Sequence, residues 1–100
     1  MATWAVLTGR KLKPGSYDDW RQAWWGEDDE VPTGITVYVL RKRDDPDEVI
    51  AFGIMEATKE DFENMRPDAS AEQERQARMA PHVESVFADG TYEVVEQISA

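Results

Sequence analysis

Two runs of β-branched and aromatic residues around a short charged turn constrain this chain more than any other feature. The first is Thr33-Gly34-Ile35-Thr36-Val37-Tyr38-Val39-Leu40-Arg41 and the second is Val49-Ile50-Ala51-Phe52-Gly53-Ile54-Met55-Glu56, with Asp44-Asp45-Pro46-Asp47 between them. Such residues favour strands, and aspartate and proline supply turn chemistry, with proline suited to the second position of a type I turn, so an antiparallel hairpin is expected. Neither strand alternates cleanly. Ile35, Val37 and Val39 share one face while Tyr38 and Leu40 lie on the other; Ile50, Phe52 and Ile54 share one face while Val49, Ala51 and Met55 oppose them. An antiparallel sheet with one wet side carries polar residues on that side. This hairpin carries few, so both of its faces require cover.

The remaining elements follow from spacing and punctuation. Thr3 to Thr8 reads as a strand of mixed parity that Gly9 to Lys13 can extend, and Pro14-Gly15 ends it. Ser16 is placed as an N-cap, with Asp18 and Asp19 in the first turn and Asp19 as a short stand-in for the capping-box glutamate. Tyr17, Trp20 and Trp24 then recur at helical intervals beside Ala23, Trp25 falls off that stripe toward an edge, a partner or a ligand, and Gly26 stops the helix. Glu27 to Glu30 reads as a solvated acidic loop without the spaced ligands of a calcium site. After the hairpin, Thr58 caps a helix with Phe62 and Met65 pointing inward, Pro67 interrupts it, and a second segment runs from Asp68 to Met79. Met79, Val83, Val86 and Phe87 keep helical spacing across Pro81, Asp89-Gly90 closes that segment, and Thr91 to Ile98 is a final strand.

This order of elements predicts an α+β fold: a single domain over residues 1–100 with a ferredoxin-like βαββαβ topology and a four-stranded antiparallel sheet. Two helices cover one sheet face only. Monomers rarely expose contiguous apolar patches beyond a few hundred Å², so a second copy packed sheet to sheet about a two-fold axis is expected, making a homodimer.

Composition narrows the function classes. A net charge of −10 disfavours phosphate-backbone recognition and anionic membrane surfaces, so neither nucleic acid nor membrane is an expected partner of this acidic protein. The absence of cysteine removes disulfides, thiolate nucleophiles and thiolate metal sites, and a single histidine removes multi-histidine metal centres within one chain. No apolar run approaches a bilayer span and Met1 to Trp4 lacks the basic start of a secretion signal, so a cytoplasmic location is the expectation. There is no Gly-x-Ser-x-Gly elbow and no phosphate loop. His82 is the one side chain of a type that titrates near neutrality, which makes it the leading general-base candidate. Arg78, one turn earlier, could hold an anionic substrate.

Gly9-Arg10-Lys11-Leu12-Lys13-Pro14-Gly15 before an amphipathic helix, Pro32-x-Gly34 before the second strand, and Leu40-Arg41 with Asp44-Asp45-Pro46 in the hairpin together resemble the antibiotic biosynthesis monooxygenase family of the dimeric α/β-barrel group, over about Thr3 to Ile98. The resemblance implies sheet-to-sheet dimers with a pocket between sheet and helices. It also implies oxidation of aromatic polyketides by molecular oxygen without a cofactor in some members, and haem degradation in relatives. Those relatives place an asparagine, a tryptophan and a histidine where this chain has Thr8, Met55 and His82, so two of the three haem positions differ. For an aromatic or polyketide-like ligand, the resemblance points to Trp4, Trp20, Trp24, Tyr38 and Met55 as the lining, with His82 or Arg78 as polar members. Two hypotheses follow: a cofactor-independent oxygenase, and a non-catalytic dimeric module that binds a small apolar ligand or merely assembles. An open pocket reached by His82 or Arg78 favours the first, and an interior filled by the tryptophans favours the second.

Overall fold

The computed structural model describes residues 2–26, 33–64 and 69–100. Four strands form one antiparallel sheet in the order β2-β3-β1-β4: β1 is Ala2–Leu12, β2 Thr36–Lys42, β3 Asp45–Ala57 and β4 Val83–Glu93. Helix α1 spans Tyr17–Trp24, α2 Lys59–Asn64 and α3 Ala69–Met79, giving the expected ferredoxin-like arrangement. Met65 and Pro67, expected to point inward and to break the helix, and the acidic run from Glu27 to Glu30, lie outside the described residues.

The pairing register assigns the two faces. Arg10 lies opposite Val49, Thr8 opposite Ala51 and Trp4 opposite Met55, so the even residues of β1 and the odd residues of β3 share the helix side. Leu7 opposite Phe52 and Ala5 opposite Ile54 share the other side, which Tyr38 and Leu40 join from β2, as the mixed parity of the hairpin requires. On the helix side Trp20 of α1, Met79 of α3 and the sheet residues Leu12, Val49 and Ala51 form the buried core, with Tyr17, Trp24, Val39 and Val83 packed around it. Full burial of such side chains contributes about 1.5–3 kcal/mol each. The other face has no layer over it among the described residues. Tyr38, Leu40 and Tyr92 are each 48% exposed and Phe87 is 51% exposed.

Four expectations require correction. Ser16 occupies the N-cap position of α1 without a side-chain cap bond, because its backbone (φ −94°, ψ 8°) is not the extended conformation that aims the hydroxyl at the first turn. The hairpin turns at Arg43 and Asp44, ahead of Pro46, which lies within β3. Arg41 pairs with Val49 while Lys42 pairs with Asp45, so Pro46 to Glu48 form an excess on β3 where a missing N–H is tolerated. Val83, Val86 and Phe87 are strand and not helix. Leu12 pairs with Val83, Arg10 with Val86 and Gly9 with Ala88, so two irregularities insert extra residues into β4 and stretch its apolar spacing to three, imitating a helix. Pro81 ends the helical path in a short 3-10 turn, Ala80–His82, and Asp89-Gly90 lies within the strand. Finally, β4 stops at Glu93 where Thr91 to Ile98 was expected to be strand. Val94 N–H still reaches the Thr3 carbonyl at 2.8 Å, but the strand pairing itself ends at Trp4 opposite Glu93.

Thr58 caps α2 as expected, its Oγ1 accepting the Asp61 N–H at 3.1 Å. Gly15 takes φ +75° in the turn before α1, a conformation side chains resist, and donates its N–H to Asp47 at 3.2 Å.

At the hairpin end of the open face Lys11 donates to the Asp45 carboxylate. That bond raises the Lys11 pKa above the usual lysine value and lowers that of Asp45 below the usual carboxylate range. The Asp45 part of the stabilisation is present above the unfolded carboxylate pKa and is lost as pH falls through the lowered folded value. The Lys11 part is present below the unfolded lysine pKa and is lost as pH rises through the raised one. Lys11→Met therefore lowers the melting temperature slightly at pH 7, and its gap to the parent chain narrows as melts are taken at pH values falling below the unfolded carboxylate pKa and through the lowered folded value of Asp45.

Candidate functional site

The helix-side face of β1 carries the side chains that shape an interior: Trp4, Val6, Thr8, Arg10 and Leu12 in sequence along one strand. Its Trp4 end is closed by aromatic contact. Trp4 stacks on Phe62 of α2 with centroids 5.1 Å apart, its Nε1–H donates to the Ala57 carbonyl at 3.0 Å, and Met55 lies beside it in register. The Leu12 end is filled. Trp20 is fully buried there, and Trp24 stacks on it at 5.7 Å with a 7° interplanar angle.

Between the two ends the sheet floor is polar. Arg10, 4% exposed, extends back over its own strand and donates from Nε to Thr8 Oγ1 at 2.7 Å. Its Nη2 donates to Gln76 Oε1 of α3 at 3.2 Å, and Gln76 is oriented in turn by donating Nε2–H to Glu72 at 3.0 Å. Asp89 of β4 stands 4.0 Å from the same nitrogen and is itself more than half exposed. Beside this cluster the cover thins: Val6, though on the helix side, is 44% exposed, and its register partner Thr91 is exposed too.

The residues singled out from the sequence therefore divide. Trp4 and Met55 meet at one end; Trp20 and Trp24 meet at the other. Tyr38 lies on the opposite sheet face, stacked on Phe52 at 5.3 Å. Arg78 is exposed, with Nε donating to the Ala23 carbonyl at 3.3 Å, and half-buried His82 accepts the Lys13 N–H at 3.0 Å through its carbonyl. From Trp4 to Lys13 the strand runs roughly 30 Å at its usual rise, so one small molecule cannot touch both Trp4 and His82. Trp25, the tryptophan off the stripe, is met by Arg75 of α3, whose guanidinium lies 5.2 Å from the ring centroid.

Arg10 and Gln76 were absent from the sequence-derived set. The extension of the first strand through Gly9 to Lys13 puts Arg10 in the same parity as Trp4 and Leu12, which is the one signal the sequence held for it. A separate hollow lies on the open face at the hairpin end, lined by Leu40, Arg41, Lys42, Glu48 and Ile50. Among the described residues no three histidine, aspartate or glutamate side chains converge as metal ligands, and no helix is long and apolar enough to cross a membrane.

Removing the ring that closes the Trp4 end has a measurable cost. Phe62→Ala is expected to destabilise the chain by about 3–5 kcal/mol in urea unfolding and to shift tryptophan emission to the red, because Trp4 loses its stacked cover.

Comparison with known proteins supports the resemblance seen in the sequence at the level of fold. A protein of Chloroflexus aurantiacus provisionally named an antibiotic biosynthesis monooxygenase superposes with a TM-score of 0.63 at 17% identity, covering 99% of this chain and 97% of its own. A Bordetella bronchiseptica protein with the same provisional name superposes with a TM-score of 0.63 at 11% identity, covering 98% of this chain and 100% of its own. No family model and no curated protein matches the sequence.

Proposed function

We propose that this chain is a monooxygenase-type oxidoreductase acting on a small aromatic or polyketide-like molecule, working as a homodimer joined through the open sheet face. The observation that carries the dimer is the set of half-exposed apolar side chains Tyr38, Leu40, Phe87 and Tyr92 on one side of the sheet, from β2 and β4. Phe87 lies directly on the backbone of Gly9, where a Cβ would meet its ring at 2.5 Å, so the ring covers the strand backbone and adds to the apolar surface of that face. Support for the chemistry comes from the shared fold and from the 44% exposure of Val6 beside the Trp4–Phe62 stack on the helix side, where a planar ligand would lie against Trp4, Val6 and Met55.

The reaction requires little of the protein. A base takes a proton from an activated CH₂ of a hydroxylated ring system, and the resulting carbanion supplies electrons to molecular oxygen. The hydroperoxide formed then loses water to leave C=O, so that CH₂ and O₂ become C=O and H₂O. The chain's share is to hold the substrate, exclude bulk water and stabilise the anion. A second reading, a non-catalytic ligand-binding module of the same fold, is favoured by one observation: Trp20 is fully buried at the Leu12 end of the helix side with Trp24 stacked on it, so tryptophan fills that end of the interior.

Sedimentation at micromolar concentration is expected to give a dimer, and Leu40→Asp a folded monomer with an unchanged far-ultraviolet spectrum. A parent chain that sediments as a stable monomer overturns the assembly. For the chemistry, oxygen uptake is measured with a panel of hydroxylated anthrones. With the ligand against Trp4, Val6 and Met55, His82 lies out of reach at the far end of the strand, so turnover by the parent is expected to survive His82→Ala. A loss of about tenfold or more in His82→Ala would overturn that ligand position, and no turnover by the parent leaves the binding-module reading.

A further inference from the structure

We infer that Arg10 is the anchor for the carboxylate of an apolar carboxylic acid that enters between sheet and helices beside Val6, a role that rests on the reading of this layer as a small-molecule site. Arginine keeps its charge at physiological pH, and removing that charge from water costs several kcal/mol unless a close counter-ion repays it. Arg10 is almost completely buried, yet its two close partners, the Thr8 hydroxyl and the Gln76 amide oxygen, are neutral. Asp89 stands at the 4.0 Å limit of ion pairing and faces mostly solvent. The contrast with the next residue is instructive: Lys11, far more exposed, has the Asp45 carboxylate in direct contact. A cation this buried is left incompletely neutralised by these partners, and a second anion would complete its pairing.

The geometry says where that anion would come from. The bond from Nε to Thr8 draws the guanidinium toward the Val6 end of the strand, and Gln76, held by Glu72, fixes its plane from above. Nη1 makes no hydrogen bond among the described residues, so the fork has an unused donor. Val6, Thr91 and Asp89 on neighbouring strands are all exposed and mark the entrance next to it. Deeper along the strand, Trp4, Met55 and Phe62 offer an apolar wall. A planar two-oxygen anion suits a guanidinium fork, and a ring system suits the wall, so the ligand class is an aromatic or aliphatic carboxylic acid and not a polyphosphate or a sugar.

The test titrates the full chain with 2-naphthoate and with its neutral isostere 2-naphthamide, followed by tryptophan fluorescence and by amide shifts of β1. The parent is expected to bind the carboxylate at least about tenfold more tightly than the amide. Arg10→Met abolishes that preference while leaving amide binding unchanged, Arg10→Lys restores part of it, and Val6→Trp, which plugs the entrance without touching the arginine, weakens both ligands. Equal affinity for the two ligands in the parent, no binding of either at millimolar concentration, a preference that survives Arg10→Met, or Val6→Trp without effect would each overturn the assignment. Should Arg10→Met fail to fold, the parent's preference and the Val6→Trp result decide alone. The outcome is separable from oxygenase chemistry: a naphthoate preference without oxygen uptake from any anthrone retains the anchor and rejects the oxidation.

Discussion

The central position of β1 is the constraint from which the rest of the structure follows. It pairs with β3 along one edge and β4 along the other, so its own side chains are the middle row of both sheet faces. Its even residues receive α1, α2 and α3; its odd residues receive no layer from the described chain. Because a one-residue slip would exchange these sets, the register determines which residues form the core and which lie on the exposed face. Trp20 and Met79 then clamp the Leu12 end of the helix side, leaving the Val6 end with thinner cover.

That unequal cover gives the helix-side layer its character. One end is a packed core of tryptophan, leucine and methionine, the other an aromatic wall of Trp4 and Phe62, and the stretch between holds a buried cation on neutral partners. A layer packed evenly from end to end would be a structural core and nothing more. A charge retained inside it, at a cost in desolvation, is the kind of local inconsistency that marks a site.

The hairpin was legible because β-branched and aromatic residues at both parities have few alternatives, and α1 was legible because Tyr17, Trp20 and Trp24 repeat at helical intervals. The segment after Pro81 was not. Its apolar residues fall at Val83, Val86 and Phe87 because β4 carries extra residues against β1, and an interrupted strand and a helix write the same spacing. Of the candidate site, Trp4 and Met55 do meet, whereas Tyr38 lies across the sheet and His82 sits at the far end of the strand. Side-chain type suggested a shared pocket, but only the register determines which side chains are neighbours.

By itself the sequence determined the element order, the helix-forming stripe of α1, the double-sided apolar character of the sheet and hence its need for cover on both faces. These are properties of neighbouring residues and of strand and helix periods, which a linear chain carries in full. The tertiary structure alone decided that Pro46 lies in a strand, that β4 begins at Val83, and that Arg10 meets Thr8, Gln76 and Asp89. Each of these depends on pairing between segments far apart in the chain, and the bulges that shift such pairing leave no mark in the local pattern.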